Sequence, residues 1–297
     1  MDKFQIKTIL MPTDFSETGL LALNYAAEMA QLFKAKLHLL HVIEVPDYVF
    51  NIPEAQLHFV KQDSLEQITS KKIEEIATDI RRRFNLEVVS MCSTGRIPSE
   101  VISYAEEQKA DIIVMGTHGA KGLDEYFLGS NAFRVVERAA CPVITIQRKA
   151  GTGGFKEIVL PIDNLLHSRE KTEYTVALAS RFNARVHILG LLETEEPAEI
   201  AKFNIKLDTV EESVKKGGLQ YIRKIVHGNN LAQAALDYSE TAGADLIAIL
   251  EDQESKLGGI GPFAKQIVNH SRIPVLSIKP REGNFESLDL TGNARIY

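Results

Sequence analysis

Residues 111–140 read DIIVMGTHGAKGLDEYFLGSNAFRVVERAA, and the order of their parts decides the fold. Asp111 to Met115 (DIIVM) is a short apolar run of buried-strand type. Ala132 to Ala140 (AFRVVERAA) carries apolar residues at helical spacing. Strand, glycine loop and helix start therefore follow in order. Gly116 and Gly119 stand three apart, and nine residues separate Gly119 from the Gly129-Ser130 pair. Glycine at the first two positions permits positive φ and, lacking a Cβ, lets backbone N–H groups approach an anion closely. Gly129 and Ser130 would bring the unpaired amides and positive dipole end of the next helix to that anion, with a hydroxyl beside them. The layout is that of a phosphate cradle, although each glycine taken singly reads equally well as a turn marker. It is not a Walker A loop, because no Gly-Lys-Ser/Thr follows, and its glycine spacing is not that of the dinucleotide fingerprint.

Working outward, the chain repeats itself. Ile9-Leu10-Met11-Pro12-Thr13-Asp14 returns as Ile158-Val159-Leu160-Pro161-Ile162-Asp163, and the register holds to Lys36–Glu44 (KLHLLHVIE) against Arg185–Glu193 (RVHILGLLE). Later, Ala110-Asp111-Ile112-Ile113 matches Ala244-Asp245-Leu246-Ile247, and Cys141-Pro142-Val143-Ile144-Thr145-Ile146 matches Ile273-Pro274-Val275-Leu276-Ser277-Ile278. Such a long-period repeat predicts two halves of one fold. The expected domains are residues 1–148 and 155–281, joined by a polar, glycine-rich linker at 149–154 and followed by a polar tail at 282–297. In the first half, strands are predicted at Thr8–Thr13, Leu37–Ile43, Glu87–Ser93, Asp111–Met115 and Val143–Gln147. Helices are predicted near Glu17–Phe33, Pro53–Phe84, Pro98–Gln108 and Ser130–Ala139. Apolar strands joined by helices make a parallel sheet covered on both faces. The prediction is two tandem five-stranded parallel α/β sandwich domains, Rossmann-like, related by an internal pseudo-two-fold.

In such sheets ligands collect beyond the carboxyl ends of the strands, where strand order reverses. Asp14, the Val42–Glu44 stretch and the glycine loop all fall at that edge. Asp14 there serves either as acceptor for a ribose hydroxyl or as an Asx-turn or helix cap ahead of Ser16-Glu17.

Composition narrows the function. The chain has 297 residues, 44% hydrophobic and 25% charged, with a net charge of −6. Interspersed signs disfavour a sequence-independent grip on nucleic acid or on an anionic membrane. No apolar stretch approaches the roughly 20 residues of a membrane span, and the start lacks a signal peptide's long apolar segment, so a cytoplasmic protein is expected. Two cysteines, Cys92 and Cys141, argue against a disulfide framework and read as small buried hydrophobes. The eight histidines lack metal-ligand spacing; His38 and His187, at equivalent points of the second strands, read as packed or hydrogen-bonded. Arg81-Arg82-Arg83 close a helix, where positive charge suits the dipole.

Pro-Thr-Asp after the first strand, Met-Gly-x-His-Gly after the fourth and Gly-Ser beyond Gly119 together resemble the universal stress protein family, in two tandem copies. The resemblance implies the adenine nucleotide alpha hydrolase-like sandwich and, for the first copy, ATP binding. It implies that Pro12, Thr13 and Asp14 flank adenosine and that Val42 meets adenine through its backbone. Met115, Gly116, His118, Gly119, Gly129, Ser130 and Asn131 would line the ribose and phosphates. Mg²⁺ could accompany the phosphates through their own oxygens and water. The family's fifth strand commonly pairs across a two-fold, so Val143–Gln147 and Val275–Lys279 are expected to pair within one chain as a pseudo-dimer. Homodimerisation and an unknown protein partner stay open.

The second copy departs from the pattern. Leu250 stands for Gly116, Gln253 for Gly119 and Pro262 for Ser130, and the loop before Gly261 is two residues shorter. An added Cβ occupies phosphate space, and proline has neither hydroxyl nor N–H to offer. The acidic Glu251-Asp252 pair would repel phosphate. ATP is therefore expected in the first half alone. Hydrolysis would require a water activator, for which His118, Asp124 and Glu125 are candidates, and a charge stabiliser such as Lys121. With no arginine finger or metal-carboxylate pair, binding outranks catalysis. A slow ATP hydrolase and a structural dimerisation or non-nucleotide ligand module are the alternatives.

Overall fold

The halves meet on an antiparallel strand pair centred on two equivalent residues of the repeat. β5 (Val143–Ile146) runs against β10 (Val275–Ile278), pairing Val143 with Ser277, Ile144 with Leu276 and Thr145 with Val275. Ile144 and Leu276 are each other's counterparts in the repeat, so a pseudo-two-fold axis passes through their pair. The computed structural model describes residues 5–45, 63–117, 129–147, 154–164, 170–251 and 260–280, and two short strands, Ser287–Leu288 and Ala294–Arg295, that pair antiparallel.

Around that axis each half contributes five strands to one ten-stranded sheet. The first half supplies β1 (Thr8–Pro12), β2 (Lys36–Glu44), β3 (Val88–Gly95), β4 (Ile112–Gly116) and β5. The second supplies β6 (Glu157–Ile162), β7 (Arg185–Leu192), β8 (Tyr221–His227), β9 (Leu246–Leu250) and β10. The order is β3-β2-β1-β4-β5-β10-β9-β6-β7-β8, parallel within each half. Strand order reverses between β1 and β4, and again between β6 and β9, which opens a crevice at each carboxyl edge.

Helices cover both faces. On one lie α1 (Glu17–Phe33), α2 (Asp63–Phe84), α5 (Glu170–Phe182) and α6 (Pro197–Lys216), over an apolar core that runs through both halves from Ile6 to Ile278. On the other, α3 (Ile97–Glu107) and α4 (Ser130–Arg138) cover the first half, and α7 (Leu231–Thr241) and α8 (Pro262–His270) the second. Ile260 packs against both of these smaller cores. Near the axis Phe155 stacks on Tyr25 at 5.4 Å and meets Phe182 edge-on at 5.0 Å. Gly154, at φ +72, brings its backbone so near Phe182 that a Cβ would lie 2.7 Å from the ring.

Equivalent residues do equivalent work. Asp111 accepts from the amides of Lys7 and Thr8 at 2.6 and 2.8 Å, and Asp245 accepts from those of Lys156 and Glu157 at 2.8 and 3.1 Å. Each aspartate thus ties the start of the fourth strand of its half to the start of the first. His38 Nδ1 lies 3.0 Å from the Tyr104 hydroxyl and His187 Nδ1 2.9 Å from that of Tyr238, so both histidines are hydrogen-bonded as expected. Arg81 does more than balance a dipole: its guanidinium donates to Glu74 and to the Val88 carbonyl, fastening α2 to β3. Cys92 and Cys141 are free thiols, half-buried rather than fully enclosed. Of the helix expected at Pro53–Phe84, Asp63–Phe84 is helical and the remainder lies outside the described residues.

Candidate functional site

Asp14 follows β1 and organises the corner above it. Its Oδ1 accepts from the Ser16 amide at 3.0 Å and the Ser16 hydroxyl at 2.6 Å. Ser16 caps α1 in turn, its Oγ accepting from the Gly19 amide at 3.1 Å. The structural reading of Asp14, an Asx-turn ahead of the helix, is therefore realised. Phe15 within that turn is held at φ +63, a left-handed conformation that costs a bulky residue energy and persists only where its surroundings impose it. Those surroundings are evident: its amide donates to Thr13 Oγ1 at 3.1 Å, its ring stacks on His41 at 4.4 Å, and Lys72 Nζ sits 4.2 Å above the other face. His41 Nδ1 lies 2.7 Å from the Thr13 carbonyl, which can only accept, so that nitrogen carries a proton. Burial pulls the His41 pKa down, partly offset by this hydrogen bond and by Asp14.

Sequence reasoning missed Phe15, Gly19 and His41. Gly19 had one available signal, a glycine in the first turn of a helix where propensity gives no reason for it. A Cβ there would lie 2.8 Å from Asp14 Oδ1 and 3.4 Å from both Thr13 Oγ1 and Ser16 Oγ. Only glycine lets the turn fold down onto the helix.

Val42 lies beside this corner. β1 ends its register where Pro12 pairs with Leu40, and the Thr13 amide donates to the Leu40 carbonyl at 2.8 Å. Peptide groups alternate sides along a strand, so those of Val42 face the same way as Leu40's, over the crevice where β1 no longer pairs. Across the crevice, β4 ends at Met115 and Gly116. Gly116 corrects the conformational expectation: it has no left-handed φ. A Cβ on it would come within 3.1 Å of Thr18 Cγ2 and 3.2 Å of the Thr18 backbone, so its bareness admits the first turn of α1. The loop leaving β4 is tied at its base, the Gly129 amide donating to the Thr117 carbonyl at 2.7 Å and the Thr117 amide to Ile146 at 3.0 Å.

From Gly129 the chain enters α4 with no side chain capping its first turn. Ser130 is exposed and Asn131 half-exposed at that end. The leading amides of α4 thus face the crevice, in the arrangement that binds an anion. Pro12, Thr13, Asp14, Val42, Met115, Gly116, Gly129, Ser130 and Asn131 are gathered at one carboxyl edge. His118, Gly119, Lys121, Asp124 and Glu125 lie outside the described residues. Among the described residues no group of histidine, cysteine or acidic side chains could hold a metal ion.

The corresponding edge of the second half is built differently. The Leu250 side chain is buried in the large core, and Pro262 heads α8 behind Gly261. Gln253 and Asp252 lie outside the described residues. Glu251 takes the place of Thr117, its amide donating to the Ile278 carbonyl at 2.7 Å. Its side chain is 4% exposed. Burial pushes the carboxyl up to about 7, against the pull of Lys279 and with a further push from Glu137. Near neutral pH this carboxyl is partly protonated, which softens the repulsion of phosphate expected from it.

Comparison with known proteins agrees with the duplication. The model of the universal stress protein family matches residues 5–147 and again 154–279. The universal stress protein MJ0531 of Methanocaldococcus jannaschii is 33% identical over 144 residues, covering 48% of this chain and 82% of its own. MJ0577 of the same organism is 30% identical over 156 residues, covering 48% and 96%. A universal stress protein from Archaeoglobus fulgidus has the same fold over 94% of this chain and all of its own, with a TM-score of 0.72 at 19% identity. No helix among the described residues is long and apolar enough to cross a membrane. Two family matches in tandem, carried on two copies of one sheet, show that the chain belongs to the universal stress protein family.

Proposed function

We propose that the chain is an ATP-binding, stress-response regulatory module that holds one ATP, in the crevice of its first half. The observation that carries this reading is a convergence at the carboxyl edge of β1 and β4. The Asp14 corner, the crevice-facing peptide groups of Val42 and the uncapped start of α4 all stand at that one edge, and together they offer partners for a base, a ribose and phosphates. Adenine would pair with the Val42 backbone, a ribose hydroxyl would donate to Asp14, and the phosphates would take the amides of Gly129, Ser130 and Asn131 together with the loop carrying His118 and Gly119. The fit is chemical as well as spatial, since an uncapped helix start supplies donors and positive potential without a basic side chain. Mg²⁺ would be held mainly by phosphate oxygens and water.

In the second half, Leu250 and Pro262 remove the equivalent space and donors, so ATP binds once per chain. Cytoplasmic location belongs to the same reading. Nucleotide occupancy would alter association with a protein partner through residues 120–128. Calorimetric titration of nucleotide-free chain with ATP and Mg²⁺ tests it, beside Gly119→Val. One site of micromolar affinity, about −8 kcal/mol, lost in the variant while its circular dichroism is unchanged, is the expected result. Two sites, or none, would overturn it.

A further inference from the structure

The second half buries a lysine where the first half has an alanine. Counted from the aspartate that follows the first strand of each half, Lys171 on α5 falls at the position of Ala22 on α1. Ala22 is wholly enclosed in the apolar core. Lys171 is almost as inaccessible, at 2% exposure. A lysine amine therefore stands near where the first half keeps a methyl group, and carrying a charge there is costly unless something compensates it. Burial drives the Lys171 pKa down, and Asp163 is the group that opposes this. The next residue, Thr172, is 4% exposed and its Oγ1 lacks a hydrogen-bond partner.

The direction of the side chain matters. Helical side chains lean toward the amino end of their helix, and α5 begins at the carboxyl edge of β6. Lys171 thus reaches from the core toward the edge where the first half has its crevice. Lys206 on α6 arrives at the same corner, its Nζ donating to the Asp163 carbonyl at 2.8 Å. Lys171 and Lys206 thus flank Asp163 at an edge that has lost the glycine cradle, and a small anion bound there would favour the charged form of Lys171.

We propose that this corner of the second half binds the oxyanion group of a small ligand, a phosphate ester or a carboxylate, with Lys171 as its buried counter-charge. The site does not rest on ATP binding in the first half. It explains why a lysine occupies a core position, and it gives the two halves different ligands.

The test is calorimetric titration of the full chain carrying Gly119→Val with ribose 5-phosphate, inorganic phosphate and succinate, repeated after adding Lys171→Met. Methionine preserves volume and removes a buried charge, so the variant should fold at least as stably. In parallel, the Lys171 ¹⁵Nζ resonance is followed in the otherwise natural chain during the same titrations. The expected result is one binding event per chain for at least one probe, weakened about 30-fold or more by Lys171→Met, with the resonance shifting on saturation. Preference for ribose 5-phosphate or phosphate over succinate would identify a phosphorylated ligand, and the reverse a carboxylate. Absence of binding by all three probes, or binding that neither Lys171→Met nor the resonance registers, would overturn the proposal. Should ATP binding survive Gly119→Val, the first-half reading fails while the Lys171 comparison keeps its meaning.

Discussion

Asp14 holds a turn, and the ribose contact proposed for it can be separated from that role by substitution. Its Oδ1 holds the Ser16 amide and hydroxyl, and Ser16 holds α1. Asparagine retains an Oδ1 acceptor and loses the charge; alanine loses both. Asp14→Ala is expected to cost about 1 kcal/mol in urea-induced unfolding, and Asp14→Asn much less, while both weaken ATP in a calorimetric titration because amide and methyl are poorer partners for a ribose hydroxyl. Equal ATP affinity in Asp14→Asn and the natural chain would assign this residue to the turn alone. The turn role of Asp14 was legible in the sequence, since a Pro-Thr-Asp-x-Ser run ahead of a helical pattern specifies it chemically. Gly116 was legible as a glycine requirement but not in its cause. That cause is the approach of Thr18, which is near neither in sequence nor in any local pattern. Phe15 at positive φ was illegible for the same reason: what holds it is a ring on β2 and an ammonium on α2.

At the scale of elements, the repeat told most. Matching Val143–Gln147 to Val275–Lys279 predicts that these strands pair across the halves, and they do, with the register centred on Ile144 and Leu276. Strand ends were less well marked. β3 continues to Gly95 instead of stopping at Ser93, because β2 continues beside it and pairs Glu44 with Gly95. The shared apolar core gives the β5–β10 pair a mechanical consequence. Ile144 and Leu276 are fully buried, and the core on one face of the sheet includes residues of both halves. A chain cut at a protease site inserted within residues 149–153 should therefore still elute as one species in gel filtration. Ile144→Asp in the cut chain should release separate fragments, since it buries an unpaired carboxylate between the halves. Dissociation of the cut chain without that substitution would mean that the linker holds the halves together.

Across the whole molecule, the two halves share a sheet and differ in the side chains at their carboxyl edges. Glu251 lies where that difference meets the junction, with Lys279 on its own half and Glu137 on α4 of the other. Burial in the folded chain lifts its carboxyl from the ordinary 4.5 to about 7. A carboxyl raised by folding binds a proton more tightly in the native state than in the unfolded chain, so stability declines as pH rises from about 4.5 to about 7 and is flat with respect to this group above that range. Glu74 and Glu211 are both held down to about 2, chiefly by Arg81 and Lys215 respectively, and act in the opposite sense and at lower pH. Glutamine removes the titration and keeps the shape. The difference in unfolding free energy between Glu251→Gln and the natural chain should therefore grow in favour of the variant between pH 4.5 and pH 7, by about 3 kcal/mol at most, and stay level from pH 8 to pH 9. Urea unfolding at each pH measures it directly. A difference that does not vary with pH would mean that the carboxyl ionises freely at the junction, and that Lys279 compensates its burial in full.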